Sequence, residues 1–295
     1  MHYAVGILIV LGSVVGGYWA MGGDFTILWQ PFEFVIVCGA ALGAFIVANP
    51  RSVLKDTGRA MLSLVRGRSH KKEDYLELLT LLYVVFRTGR RNLQSLESDL
   101  DRPESSAFFK RFPRMSSNTR NLRFICDYMR LILLGSEKAH ELEALMDEDI
   151  ETIRLELNKT PKALERMAET LPALGIVAAV LGIIKAMGAM DESPEVLGQL
   201  IGGALAGTFI GIFMSYGFVS PLAHAIKTRR EQELNYYVAA KAAVIAYLNE
   251  YAPQICVEYG RKLIATEVRP DFVEVERATQ RVAAALPQGG IRRAA

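Results

Sequence analysis

The chain has 295 residues, of which 51% are hydrophobic and 22% charged, with a mean hydropathy of +0.19 and a net charge of +2. So apolar a chain is not intrinsically disordered, and so balanced a charge does not suggest a nucleic-acid binder. The many charged side chains need water, so the composition fits a membrane protein with a sizeable aqueous part.

In chain order, Tyr3 to Gly23 carries no charged residue and is long enough to cross a bilayer, which takes about 20 apolar residues. It is too long for a signal-peptide core and has no basic segment before it. Phe34 to Ala48 is a second apolar run, ending at Asn49-Pro50-Arg51, with Pro31 and Glu33 at its interface end. The two make a hairpin around a short turn, Gly22 to Gln30. The chain is then polar until Glu169. Thr170 to Met190 is a third span, interrupted only by Lys185, which is close enough to its outer end to snorkel. Asp191 to Glu195 is an acidic turn, and Val196 to Ala223 is an uncharged fourth span.

Arg51 to Glu169 holds 22 lysines and arginines, His224 to Ala295 holds 11, and Lys185 is the remaining one. The two short turns hold none, so the positive-inside rule puts them outside and both termini in the cytoplasm. The expected fold is all-α: an integral membrane protein with four transmembrane helices and a large helical cytoplasmic domain. Its parts are a hairpin at 1–50, a cytoplasmic helical domain at 51–169, a second hairpin at 170–223, and cytoplasmic helices with a tail at 224–295.

Helical spacing marks Tyr75 to Phe86, Leu122 to Leu133, and Leu142 to Leu157, the last leading toward span three. A further helix is expected over Glu231 to Ala265, broken at Pro253, with a frayed tail from Gln280. The acid-rich run Glu137 to Glu151 reads as a solvated helix face.

Small residues recur every four positions: Gly12 and Gly16; Gly39 and Gly43; Ala178, Gly182 and Ala186; Gly203, Gly207, Gly211 and Ser215. Such rows let helices approach closely in lipid and suggest a tightly packed assembly. Pro172 and Pro221, at the inner ends of spans three and four, read as helix boundaries or as hinges. Thr208 offers a hydroxyl in mid-span, with the Tyr216 phenol two turns on, and either lines a path or bonds back to its own helix. No Asp or Glu lies deep in any span, so a proton path through this chain needs a carboxylate from a partner. Three scattered cysteines, four scattered histidines and the lack of phosphate-loop, dinucleotide or hydrolase motifs point to neither a metal site nor an enzyme.

Ala204-Leu205-Ala206-Gly207-Thr208-Phe209-Ile210-Gly211, followed by Pro221, resembles the signature of the MotA family of flagellar stator proteins. Leu171 to Val180, Met146 to Glu151, Gly22-Gly23 with Gln30-Pro31, and Tyr251-Ala252-Pro253 with Val257 to Lys262 resemble its other motifs in the same order. The resemblance implies a flagellar motor stator subunit of the bacterial inner membrane. It further implies a pentameric ring of such chains around a MotB-type partner that supplies the channel aspartate, protons as the coupling ion, and no other cofactor. It places Thr208, Ala179 and Tyr216 on the proton path and makes Pro172 and Pro221 the residues that transmit conformational change. It sets Arg90 or Arg91, with Glu97, against the rotor protein FliG; one residue is missing between the arginines and Glu97 relative to the enteric form. The alternative is an ExbB/TolQ-like energy transducer, which would lack the leading hairpin; a passive scaffold is the third reading.

Overall fold

The computed structural model describes residues 2–66, 71–135 and 138–285. Thirteen α-helices occur in chain order among them: α1 (His2–Ala20), α2 (Phe25–Leu28), α3 (Pro31–Ala48), α4 (Arg51–Arg66), α5 (Lys72–Asn92), α6 (Glu97–Asp101), α7 (Pro113–Ser116), α8 (Thr119–Leu133), α9 (Ala139–Met187), α10 (Pro194–Met214), α11 (Ser220–Leu248), α12 (Pro253–Lys262) and α13 (Phe272–Ala285). Short 3-10 turns precede α6 and α7, and a π-helical turn, Ser215–Val219, joins α10 to α11. The described residues contain no strand. The helices divide into two compact units, 1–68 with 157–229 and 69–156 with 230–295.

Three helical runs are long and apolar enough to cross a membrane: Phe25–Ala48, Ala139–Met187 and Pro194–Leu248. Val5–Ala20 is a shorter apolar helix. Asp24 starts α2, inside the expected turn, by accepting the Thr26 amide at 2.8 Å. Pro31 begins α3 at a position where the missing N–H costs nothing.

In the first unit, Val37 and Ala41 of α3 pack against Leu171 and Ala178 of α9. A second cluster gathers Phe45, Val53, Ala60 and Leu64 around Ala163, Leu164, Ala223 and Ile226. Helix α4 presents its buried face to this cluster, while Arg51, Lys55 and Arg59 stay exposed. The Thr160 hydroxyl, also buried, donates to Asp56 at 2.6 Å.

In the second unit, α5 is the hub. Tyr75, Leu78, Leu79, Leu81, Leu82 and Phe86 are almost completely buried. The Tyr75 hydroxyl donates to the Gln232 carbonyl at 3.0 Å, and Phe86 stacks on Tyr247 at 4.7 Å. Glu77 caps α7 by accepting the amides of Arg114 and Met115 at 2.7 and 2.9 Å. Helix α9 presents Leu142, Met146 and Ile150 inward, and Lys241 bridges to its Asp147 and Glu143 at 2.7 and 3.2 Å. The acid-rich run is therefore only partly a solvated face.

Several boundaries differ from expectation. Helix α9 runs unbroken for 49 residues through both Pro161 and Pro172, so neither proline is a boundary. It ends at Met187, three residues before the expected end of span three. Span four continues through the π turn and Pro221 into α11, so Pro221 is not a boundary either. The break expected at Pro253 falls instead at Asn249–Ala252, ahead of Pro253, which opens α12. Helix α13 carries through Gln280 to Ala285, so the chain is ordered where fraying was expected; 286–295 lie outside the described residues.

Candidate functional site: the crossing of two spans

The crossing of α9 and α10 is set by residues without side-chain bulk. A Cβ added at Gly211 would stand 2.6 Å from the Leu171 carbonyl oxygen, and one at Gly207 would stand 2.9 Å from the Ala178 Cβ. One at Gly182 would stand 2.6 Å from the Ala204 Cβ, and one at Gly175 would stand 3.0 Å from the Gly207 carbonyl oxygen. At each of these four glycines the helix meets backbone or an alanine Cβ, as small-residue rows allow in an apolar medium. The expected row on α10 is rotated at the N-terminal end of the helix. Gly203 meets the Gln30 side chain and Gly202 meets Ile27, whereas Ala204 faces Gly182. The rows Gly12/Gly16 and Gly39/Gly43 have nothing within 4 Å, so they pack against nothing in this chain.

Two predicted path residues meet at this crossing. The Thr208 Cα is 3.2 Å from the position of a Gly175 Cβ, and the Ala179 amide is 3.4 Å from that of a Gly207 Cβ. Ala179 is buried and Thr208 half-buried. Among the described residues the Thr208 hydroxyl makes no hydrogen bond, unlike Thr57, Thr80 and Thr228, which each bond back to the carbonyl four residues earlier. Tyr216, within the π turn, is 71% exposed. Lys185 is exposed in the last turn of α9.

Of the two predicted coupling prolines, Pro172 lies inside the continuous helix α9 and Pro221 lies just after the π turn. Pro172 has no N–H, so it removes the donor that would meet the Ala168 carbonyl within α9. The buried Ser215 hydroxyl donates to that carbonyl at 2.6 Å. Pro221 follows the π turn, where the Ser220 amide reaches back five residues to Ser215. In the sequence Ser215 stands out only as a small residue at the end of the Gly203, Gly207, Gly211 row. The signal that would have singled it out is a hydroxyl within reach of a carbonyl freed by proline.

The predicted rotor residues lie in the second unit. Arg90 is exposed but tied to its own chain, its Nη2 donating to the Tyr251 carbonyl at 2.7 Å and to the Glu250 carbonyl. Those carbonyls belong to the turn that ends α11. There the Tyr251 amide reaches Ala246 and the Glu250 amide reaches Tyr247, with Glu250 left-handed at φ 63°. Arg91 and Glu97 are exposed, and Glu97 opens α6. The structure brings neither arginine into an ion pair with Glu97 among the described residues.

The sequence matches the family description "Motility protein A N-terminal" over residues 4–93 and "MotA/TolQ/ExbB proton channel family" over residues 116–239. It is 41% identical to motility protein A of Escherichia coli strain K12 over 283 residues, 96% of each chain. It is 37% identical to the chemotaxis protein LafT of Vibrio parahaemolyticus over 278 residues, 94% of this chain and 98% of that one. The fold is similar to that of C. jejuni MotAB, with a TM-score of 0.71 and 18% identity, covering 90% of this chain and 95% of that one. It is also similar to the flagellar MotAB stator complex from Bacillus subtilis, with a TM-score of 0.64 and 22% identity, covering 86% and 92%. The chain therefore belongs to the motility protein A family of flagellar stator subunits, within the MotA/TolQ/ExbB proton channel family.

Proposed function

We propose that this chain, in a ring of five around a MotB-type partner, carries protons through the bacterial inner membrane and turns their flux into torque on the rotor protein FliG. In this reading α1, α3, the outer part of α9 and the run from α10 to Pro221 are four spans. Residues 51–169 and 224–295, with both termini, lie in the cytoplasm.

The observation that supports it most is the α9–α10 crossing. It has an unbonded Thr208 hydroxyl beside Ala179, and no Asp or Glu in either span. Such a crossing has polarity for a proton but no group to hold it, so the titrating carboxylate comes from the partner. A proton arriving from outside neutralises that carboxylate and lowers the cost of placing it against apolar helices. One charge crossing 100 mV is worth about 2.3 kcal/mol. The packing around Pro172 and Pro221 responds to the change of charge, and the ring steps.

Arg91 and Glu97 are the rotor-facing charges in this reading, since Arg90 is engaged with its own chain. The match over residues 4–93, which includes the leading hairpin, favours a stator over an ExbB/TolQ-like transducer.

The test is proton uptake by cells that express this chain with a partner freed of its periplasmic plug. Uptake that requires the partner's membrane aspartate, falls with Thr208→Ala and ignores replacement of sodium supports the reading. A sodium requirement would change the coupling ion, and uptake without effect on motility would favour the transducer. No uptake from a correctly assembled complex would reject conduction.

A further inference from the structure

We infer that Ser215 is a positioning residue: its hydroxyl replaces the donor that Pro172 removes, and so ties α9, one turn before Pro172, to the π turn after α10. The covalent structure of proline requires such a donor, and the distance supplies it. A helical residue 172 with an N–H would bond the Ala168 carbonyl four residues back, and proline leaves that carbonyl without its donor. The Ser215 oxygen is 2.6 Å away, and the serine is 2% exposed, so no water competes. Buried carbonyls without donors are rare because the lost solvation is not recovered.

The position of Ser215 gives the bond reach. One turn before it, Gly211 abuts the Leu171 carbonyl and Gly175. One turn further, the Thr208 backbone abuts Gly175. The hydroxyl therefore ends the row of contacts that sets how Thr208 faces α9. It does so at the π turn, where the helix already departs from α geometry. A movement that draws α9 away from the π turn at this level breaks the bond.

The functional half of this inference rests on the proposed role in proton conduction; the structural half does not. Both are tested with the full chain assembled with its MotB-type partner, as wild type, Ser215→Ala, Ser215→Thr, Pro172→Ala and the Ser215→Ala/Pro172→Ala double variant. Thermal midpoints are read on the purified complex, and proton flux is normalised to the amount of complex.

Ser215→Ala is expected to lower the midpoint by about 2–4 °C, the shift that one net hydrogen bond gives in a chain this size. It is expected to lower flux roughly fivefold, and Ser215→Thr is expected to restore flux. In the Pro172→Ala background the Ala168 carbonyl regains its helical donor, and Ser215→Ala is expected to change the midpoint little. Equal losses in both backgrounds would overturn the bond. A cycle that shows the bond, with flux untouched by Ser215→Ala, would overturn the positioning role. If Ser215→Ala alone does not assemble, recovery on adding Pro172→Ala supports the inference and failure to recover overturns it. Absence of flux in the wild type, with the stability cycle intact, would strike the proposed conduction and leave the bond standing.

Discussion

Gly211 lies so close to Leu171 that a Cβ at the glycine would be 2.6 Å from the Leu171 carbonyl oxygen and 2.9 Å from the Gly175 Cα. Both obstacles are backbone, which cannot rotate away. Gly211→Ala is therefore expected to separate α9 from α10 and to cost about 1–3 kcal/mol, as overpacking does. Gly39→Ala, with nothing within 4 Å, is expected to leave the fold of the chain unchanged. Yield and thermal stability of the solubilised chain check both. A loss for Gly39→Ala that appears only in the assembled complex would reveal a neighbour from another chain.

Arg90 and Arg91 are expected to fail in different ways. Arg90→Ala removes charge-assisted bonds to the Tyr251 and Glu250 carbonyls and is expected to destabilise the second unit by about 1.5–3 kcal/mol. Arg91→Glu is expected to leave stability within about 0.5 kcal/mol and to impair motility. Glu250, left-handed without being glycine, supplies a control. Glu250→Gly is expected to stabilise the same turn by about 1 kcal/mol. Hydrogen exchange over 246–251 and swimming assays separate the outcomes, and a stable Arg90→Ala chain would remove the structural role given to that arginine.

Arg261 is 8% exposed and donates to Glu258 at 2.6 and 2.7 Å and to the Pro270 carbonyl at 3.1 Å. The hydrogen bonds from Arg261 hold the Glu258 carboxyl below its ordinary value. A depressed folded value means that the contribution is fully present above the unfolded glutamate pKa, about 4.3, and is lost as pH falls through the folded one. Glu258→Gln should therefore flatten the acid limb of the stability profile. An unchanged acid limb in that variant would show that other carboxylates govern it. Arg261→Ala is expected to cost about 2–3 kcal/mol at neutral pH.

Burial pushes the Cys126 thiol up to about 12 and the Cys256 thiol up to about 11. Both are fully buried, so neither supplies thiolate to a reagent at pH 8. Maleimide treatment of the folded, solubilised protein is expected to leave both unmodified until denaturant is added. Rapid labelling of either in the native protein would mean that the α8 or α12 core opens readily.

The helices of this protein, and the small residues that bring two of them together, are readable from the chain because hydrophobic period and side-chain size are local properties. Tyr75 to Phe86 announces the hub of the second unit, and Gly207 and Gly211 announce the close face of α10. The lack of an acid in the long apolar runs is likewise a fact of sequence. What the prolines do is not local. Pro172 reads as a boundary or a hinge in the sequence, whereas packing brings a donor from residue 215 to the carbonyl it frees inside a continuous α9. The same holds for Arg90, which reads as a solvated charge beside Arg91 until the end of α11 brings two carbonyls to its guanidinium. A lost or unpaired hydrogen-bonding group can be seen in the sequence, but its partner, many residues distant, is chosen by tertiary packing, as with Ser215 at the Ala168 carbonyl and the end of α11 at Arg90.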